Sequence, residues 1–408
     1  MPKFLHAVFF LLIAFTSQAL PAEQPFDPLA VYLTWQKNPE SSMTIHWISA
    51  GNQPEDSVYY KPEGAKEWRL ANGSHKPLPE GHTEYLIHTT ELTGLEPDTP
   101  YVFAAGHNGK VFKFKTMPAA LNRPLRFVVG GDLYHDDIED VVVMNRIAAA
   151  KNIDFALLGG DIAYATDKYG QFPEKMEKWL TFLEAWKNSM ITKEGYLIPL
   201  LPVISNEDTK KRYAQKPEQA AFFYALFATP GLPGYNVIDF ANYLSIFLLD
   251  SGHTNYISGK QKVWLADALK ARANVPVKFA LYHVPAYPSV RNLSGIHGTL
   301  IRAHWVPSFE KYNLTAAFEN HDHAYKRTEL IKGNKVDPAG VLYIGDGGWG
   351  VATPREPAKA SERWYLAATA AKQNIVIVTI YPDNSTFYQA IDRSGNIFDQ
   401  FLRPNKMP

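Results

Sequence analysis

The chain has 408 residues, 46% of them hydrophobic and 20% charged, and 41 basic side chains balance 41 acidic ones to a formal net charge of zero. That length holds material for two or three domains with sizeable cores, and the charge balance offers neither a basic nucleic-acid-binding face nor an acidic tail. There is no cysteine, which excludes disulfides, thiolate metal sites and a cysteine nucleophile and leaves His, Asp, Asn, Glu and Tyr as the available metal ligands.

Residues 1–22 begin Met1-Pro2-Lys3, continue in an apolar run from Phe4 to Phe15 and end in small residues up to Ala22. The run is shorter than the ~20 residues of a membrane span, so it reads as a secretory signal peptide. No second long apolar run follows, and the expected product is exported, secreted or periplasmic, with no stable membrane span after signal cleavage. Residues 23–117 read as all-β. Runs at Met43–Ile48, Ser57–Tyr60, Thr83–His88 and Tyr101–Ala105 alternate in polarity between Gly, Pro and Asn clusters, the spacing of an immunoglobulin-like sandwich. The turn Leu95-Glu96-Pro97-Asp98-Thr99-Pro100-Tyr101, with Trp47 on an earlier strand, resembles the fibronectin type III module. Such a domain is expected to serve as packing and spacer rather than as a binding module.

Thr116–Pro124 is a linker by composition, and residues 118–408 change to strands alternating with helices. Strands are expected at 125–129, 153–158, 243–249, 277–282, 315–318, 341–344 and 375–380, with helices over 138–150 and 172–190. The Met176, Trp179, Leu180, Leu183 and Trp186 stripe on the second helix is read as core. A large layered α/β domain follows.

Chemistry-bearing residues fall at the C-terminal ends of these strands, where an α/β sheet presents its ligand site. They are Gly130-Gly131-Asp132, Gly160-Asp161-Ile162-Ala163-Tyr164, Ser205-Asn206-Glu207-Asp208, Tyr282-His283 and Asn320-His321-Asp322-His323. Two imidazoles one residue apart after a buried strand outline a metal site. Glycine before the Asp lets the backbone turn close to an ion. Gly345-Asp346-Gly347-Gly348-Trp349-Gly350 spells a dinucleotide fingerprint, but Pro354 and Pro357 stand where that site needs a helix, so it is read as a turn beside the metal site.

These five blocks in this order resemble the metallophosphoesterases, and among them the purple acid phosphatases, which also carry an N-terminal fibronectin-like domain. The resemblance implies a four-layer α-β-β-α catalytic domain that hydrolyses phosphoric esters, chiefly as an acid phosphatase acting on small phosphomonoesters. It implies Fe(III) on Asp132, Asp161, Tyr164 and His323, and a divalent Fe, Zn or Mn on Asp161, Asn206, His283 and His321. Carboxylate and phenolate suit the harder ion, and amide and imidazole the softer one.

Two of the blocks depart from the family. Glu207 replaces the histidine that contacts phosphate, with Ser205 before Asn206 in place of glycine, and a carboxylate there repels a phosphate dianion unless it is protonated or turned away. Tyr134 replaces a glycine and is expected to narrow the pocket or stack on a substrate. His297 is the candidate replacement acid, and Arg291, Lys210, Lys211 and Arg212 are candidate sources of positive potential. A phosphodiesterase of the same fold, or a metal-binding protein with impaired catalysis, stands as the alternative.

Overall fold

The computed structural model describes residues 25–51, 55–167 and 170–405. The expected signal peptide lies outside them. The N-terminal strands form two four-stranded antiparallel sheets. One joins β1 (Ala30–Thr34), β2 (Ser42–Ala50), β6 (Tyr85–Thr93) and β5 (Ser74–Pro77), and the other joins β4 (Arg69–Asn72), β3 (Ser57–Pro62), β7 (Pro100–Ala105) and β8 (Val111–Lys115). The inward residues Val31, Leu33, Ile45, Trp47, Val58, Tyr101, Phe103 and Phe114 are all buried, as the alternation requires. The Tyr101 hydroxyl accepts from the Glu96 backbone N–H at 2.9 Å, which pins the Leu95–Tyr101 turn in the manner of a tyrosine corner.

The rest of the chain builds two mixed sheets packed face to face. The six-stranded sheet runs in the order β11 (Leu200–Pro202), β10 (Phe155–Leu158), β9 (Leu125–Gly130), β21 (Asn374–Ile380), β22 (Thr386–Asp392), β23 (Ile397–Arg403). The seven-stranded sheet runs β12 (Asn236–Phe240), β13 (Leu244–Leu248), β14 (Val277–Leu281), β15 (Ala316–Glu319), β19 (Leu342–Gly345), β16 (Tyr325–Thr328), β20 (Leu366–Ala370). A short hairpin, β17 (Ile331–Lys332) with β18 (Lys335–Val336), precedes β19.

Phe127, Phe155, Phe279 and Phe318 interlock between the sheets, with ring centroids 4.9 to 5.9 Å apart. Helices α1 (Ile138–Ala149), α2 (Met176–Ser189) and α3 (Ala221–Leu226) cover the outer face of the first sheet, and α4 (Lys260–Ala271), α5 (Ile296–His304) and α6 (Val306–Lys311) that of the second. The result is the expected α-β-β-α stack. Trp179, Leu183 and Trp186 of α2 are fully buried among the core side chains, with Met176 and Leu180 partly so.

The second helix starts at Met176 rather than at 172. Pro173 explains the difference, because the residue before a proline is held out of the α region. Strands β9, β10 and β11 run parallel, as do β13, β14, β15 and β19. Their C-terminal ends therefore open at one edge of the stack, which is what gathers the five sequence blocks. Among the described residues no helix is long and apolar enough to cross a membrane.

Candidate metal centre

All seven candidate ligands meet at that edge. Asp132 follows β9 and Asp161 follows β10, and both carboxylates are buried. Backbone bonds couple the two turns: the N–H of Asp132 donates to Gly160 O (2.9 Å), that of Leu133 to Asp161 O (2.9 Å) and that of Tyr134 to Ile162 O (3.0 Å). Two groups of ligand atoms result, Asp161 with His283 and His321, and Asp132 with Asp161 and His323, each with its atoms within 4.8 Å of one another. Asp161 belongs to both.

In the second group His323 Nε2 lies 2.8 Å from Asp132 Oδ1, and the Tyr164 hydroxyl lies 3.2 Å from the same oxygen and 3.3 Å from His323 Nε2. In the first, His283 Nε2 is 3.0 Å from Asn206 Oδ1, 2.9 Å from His321 Nδ1 and 3.4 Å from Asp161 Oδ2. His283 Nδ1 faces Gly159 O at 2.8 Å. A carbonyl can only accept, so Nδ1 carries the hydrogen, and in the neutral ring, the form that binds a cation, Nε2 presents its lone pair to the cluster. Lone pairs of His283, His321, Asn206 and Asp161 thus converge on one point, the arrangement of a cation site. The donor set fits the implied pair: three oxygens and one imidazole on one side, and two imidazoles, an amide oxygen and the shared carboxylate on the other.

The electrostatics follow from that crowding. Burial raises the Asp161 pKa, but His283 and His321 outweigh it and hold the carboxyl far below the usual range. Burial lowers the His283 pKa, yet Asp161 lifts it to about 9. His321, buried and beside His283, is pushed well below its ordinary value. The Tyr164 phenol is driven well above 10 by burial and by Asp132.

Backbone conformation is unusual here. Asp132, Asp161, Tyr164, His321 and His323 all have φ between +48° and +78°, the left-handed region that non-glycine residues seldom occupy and that costs of order 1–3 kcal/mol each. Two sets of contacts hold them. Asp208, fully buried, accepts from the N–H groups of Asp161 (3.1 Å) and Ile162 (3.0 Å) and from Ser205 Oγ (2.5 Å). Burial, with Asp161 nearby, raises its pKa to about 7. Asp322, between the two histidines and fully buried, accepts from the Val290 and Arg291 N–H groups and, at 2.7 Å, from the Arg291 guanidinium. Beneath that loop the buried Lys326 donates to Glu319 (2.7 Å), Asp346 (3.1 Å) and Tyr287 O (2.6 Å).

The Gly345–Gly350 turn does lie beside the site. A Cβ on Gly347 would sit 1.8 Å from Asp132 Oδ2 and 2.8 Å from the His321 nitrogen, and the residue has φ +75°. The backbone of this turn also wraps the first block, with Gly350 N–H donating to Asp132 O at 2.9 Å.

Tyr134 does not narrow the pocket. Its ring packs among the helix-side core residues under the Lys178 ammonium, 4.2 Å from the ring centre. His135, one residue on, faces the ligands instead, its ring edge-on to Tyr164 (4.9 Å) and His323 (4.8 Å). Glu207 is also engaged: Oε1 accepts from the Asn206 amide at 2.8 Å and lies 3.4 Å from Arg212, and its N–H donates to Asp161 Oδ1 at 2.9 Å. Burial, then Asp161, raises its pKa.

His297, at the start of α5, lines a cleft of about 200 Å³ with His321, Arg291 and Tyr213. Tyr213, like His135, is a residue the sequence did not single out. Its ring stacks on His297 at 3.9 Å and its hydroxyl is 3.4 Å from His321 Nε2. Lys211 is exposed, and Lys210 pairs with Glu80 of the N-terminal sandwich, so neither serves the cleft.

A family model described as the N-terminal domain of purple acid phosphatases matches residues 28–116. Purple acid phosphatase 22 of Arabidopsis thaliana is 26% identical over 332 residues, 79% of this chain and 72% of that protein. Purple acid phosphatase 18 of the same plant is 29% identical over 342 residues, 81% of this chain and 74% of that protein. Among solved structures, a purple acid phosphatase from yellow lupin (Lupinus luteus) seeds superposes with a TM-score of 0.73 at 15% identity, covering 91% of this chain and 73% of that one. PhoD superposes at 0.66 with 13% identity, covering 95% and 90%. The chain thus carries the N-terminal domain of purple acid phosphatases, is similar to purple acid phosphatases in sequence over most of its length and shares the fold of one of them, which together point to a metallophosphoesterase that acts on phosphoric esters.

Proposed function

We propose that this protein hydrolyses phosphomonoesters with water at a two-metal centre, Fe(III) on Asp132, Asp161, Tyr164 and His323 and a divalent Fe, Zn or Mn on Asp161, Asn206, His283 and His321. The observation that carries the reading is the pair of ligand groups joined through Asp161. A cation pair held there supplies an acidified water and neutralises the phosphoryl oxygens without a covalent intermediate. The chain's own residues do the rest. Arg291, its guanidinium tied to Asp322 and to His321 O, presents positive charge in the cleft wall where a phosphate enters. His297 stands in the same wall and donates a proton to the leaving oxygen. Glu207, held by Asn206 and Arg212, is turned from the incoming dianion, so a monoester is admitted despite the missing histidine.

The reading includes a sandwich of residues 23–117 that acts as a spacer, a catalytic domain of residues 118–408 and export of the mature chain. Its test is to reconstitute the protein with iron and zinc, count the metals, and follow hydrolysis of a chromogenic monoester and its matched diester, with Asn206→Ala as control. Two metals per chain and turnover abolished in the control are expected. At most one metal, or undiminished turnover in the control, contradicts the assignment. A diester preference would favour the phosphodiesterase alternative, in which the Glu207 charge selects a substrate carrying one charge fewer.

A further inference from the structure

A third cluster of ligand-type side chains lies in the N-terminal sandwich, on elements that carry none of the seven residues above. Asp56 precedes β3, and His75 on the edge strand β5 is the direct cross-strand partner of His88 on β6. His88 Nδ1 is 2.7 Å from Asp56 Oδ1, and His75 Nδ1 is 2.9 Å from both Asp56 oxygens. All three ligand atoms lie within 4.8 Å of one another. From these residues we propose a second, independent binding site for a divalent transition metal such as zinc, ligated by Asp56, His75 and His88.

Three features argue for a built site rather than a chance meeting. The two imidazoles are fixed to the same face of one sheet by the β5–β6 ladder, which holds their rings 5.4 Å apart. His88 is fully buried, stacked on Trp47 at 4.7 Å with an interplanar angle of 4°. Its far nitrogen lies 2.9 Å from Ser49 Oγ. The Asp56 carboxylate can only accept, so Nδ1 donates to it here; a bound cation would take the place of that hydrogen, and the ring would then carry its N–H on Nε2, donated to Ser49 Oγ, the outer-sphere partnership usual for a ligating histidine. His75 and Asp56 stand at the surface, so the cation has an entry path and a fourth position open to water, as the Zn coordination number requires. Tetrahedral zinc with bonds of roughly 2.1 Å sets its ligand atoms about 3.4 Å apart. Both partially exposed side chains, His75 and Asp56, have room to draw back by about half an ångström to that spacing around the buried His88. Two imidazoles and a carboxylate match zinc, copper or nickel better than calcium or magnesium. Bound there, the cation ties the chain entering β3 to the edge strand β5.

The test uses zinc alone on the full-length protein, with zinc counted after removal of the free ion and thermal unfolding followed with and without it. The wild type is expected to bind one equivalent more than His75→Ala and Asp56→Asn, and to gain a zinc-dependent rise in Tm that both variants lack. Both variants should keep the hydrolytic activity and metal content of the inter-sheet centre, which shows that they remain folded. His107→Ala, which removes another exposed histidine of the sandwich, should leave the count unchanged. Equal zinc in the wild type and His75→Ala would reduce the trio to a hydrogen-bonded clip and overturn the proposal, as would the same loss in His107→Ala. This count is separate from the phosphatase reading, which stands or falls on Asn206→Ala.

Discussion

His297 differs from the other histidines of the cleft in what surrounds it. Its ring is half-buried against Tyr213, and burial lowers its pKa below the usual 6.5. A leaving-group acid works in its protonated form, so its contribution is present at acid pH and falls as pH rises through that lowered value. His297→Asn should reduce kcat for alkyl phosphates about 100-fold, change little for a p-nitrophenyl ester that leaves without a proton, and abolish the alkaline limb for the alkyl ester. A uniform loss across leaving groups would place His297 in binding instead. Glu207 gives a second residue-level prediction. Glu207→Gln removes a charge while keeping an acceptor for the Asn206 amide, and should raise the monoester-to-diester ratio of kcat/KM about tenfold at low salt, less at high salt. An unchanged ratio would mean that Arg212, 3.4 Å away, already cancels the charge.

At the scale of the elements, the site depends on turns that carry side chains through left-handed backbone, and the Gly345–Gly350 turn is the one on which they close. Gly347→Ala would place a methyl group on Asp132 Oδ2 at a positive φ, so metal content is expected to fall to at most one per chain while the far-UV CD stays native. Full occupancy would show that the turn can yield. The strand-end blocks were readable because apolar runs ending in Asp, Asn or His put polar ligands at the mouths of parallel strands. Asp132, Asp161, His283, His321 and His323 come together as that pattern implies. The conformation of those residues was not readable, since nothing in the letters Asp161 or His323 announces φ above +50°. Tyr213 escaped because it sits in the irregular segment after Asp208, where no period or motif fixes a side chain's direction. A bulky residue at an open position reads as facing the opening, whereas Tyr134 packs against the helix-side core.

At the scale of the whole molecule, the core of the N-terminal sandwich is continuous with the one between the catalytic sheets. Trp35, fully buried just after β1, meets Phe155 at 6.0 Å and Phe240 at 5.7 Å, both edge-on, one from each large sheet. Tyr32 donates its hydroxyl to Leu226 O at 2.6 Å, and Lys187 of α2 reaches back to Pro28 O (2.8 Å) and Asp27 (3.2 Å). An apolar contact of this kind couples the two units, whereas flexibly linked domains keep small, polar interfaces. Heating should therefore give one cooperative transition reported alike by loss of hydrolysis and by tryptophan fluorescence. Trp35→Ala, which empties an aromatic side chain from the junction, should cost about 3–5 kcal/mol and lower that transition in both probes together. If hydrolysis instead survives past a separate, earlier fluorescence change, the sandwich unfolds on its own and the shared core contributes little to holding the catalytic edge in place.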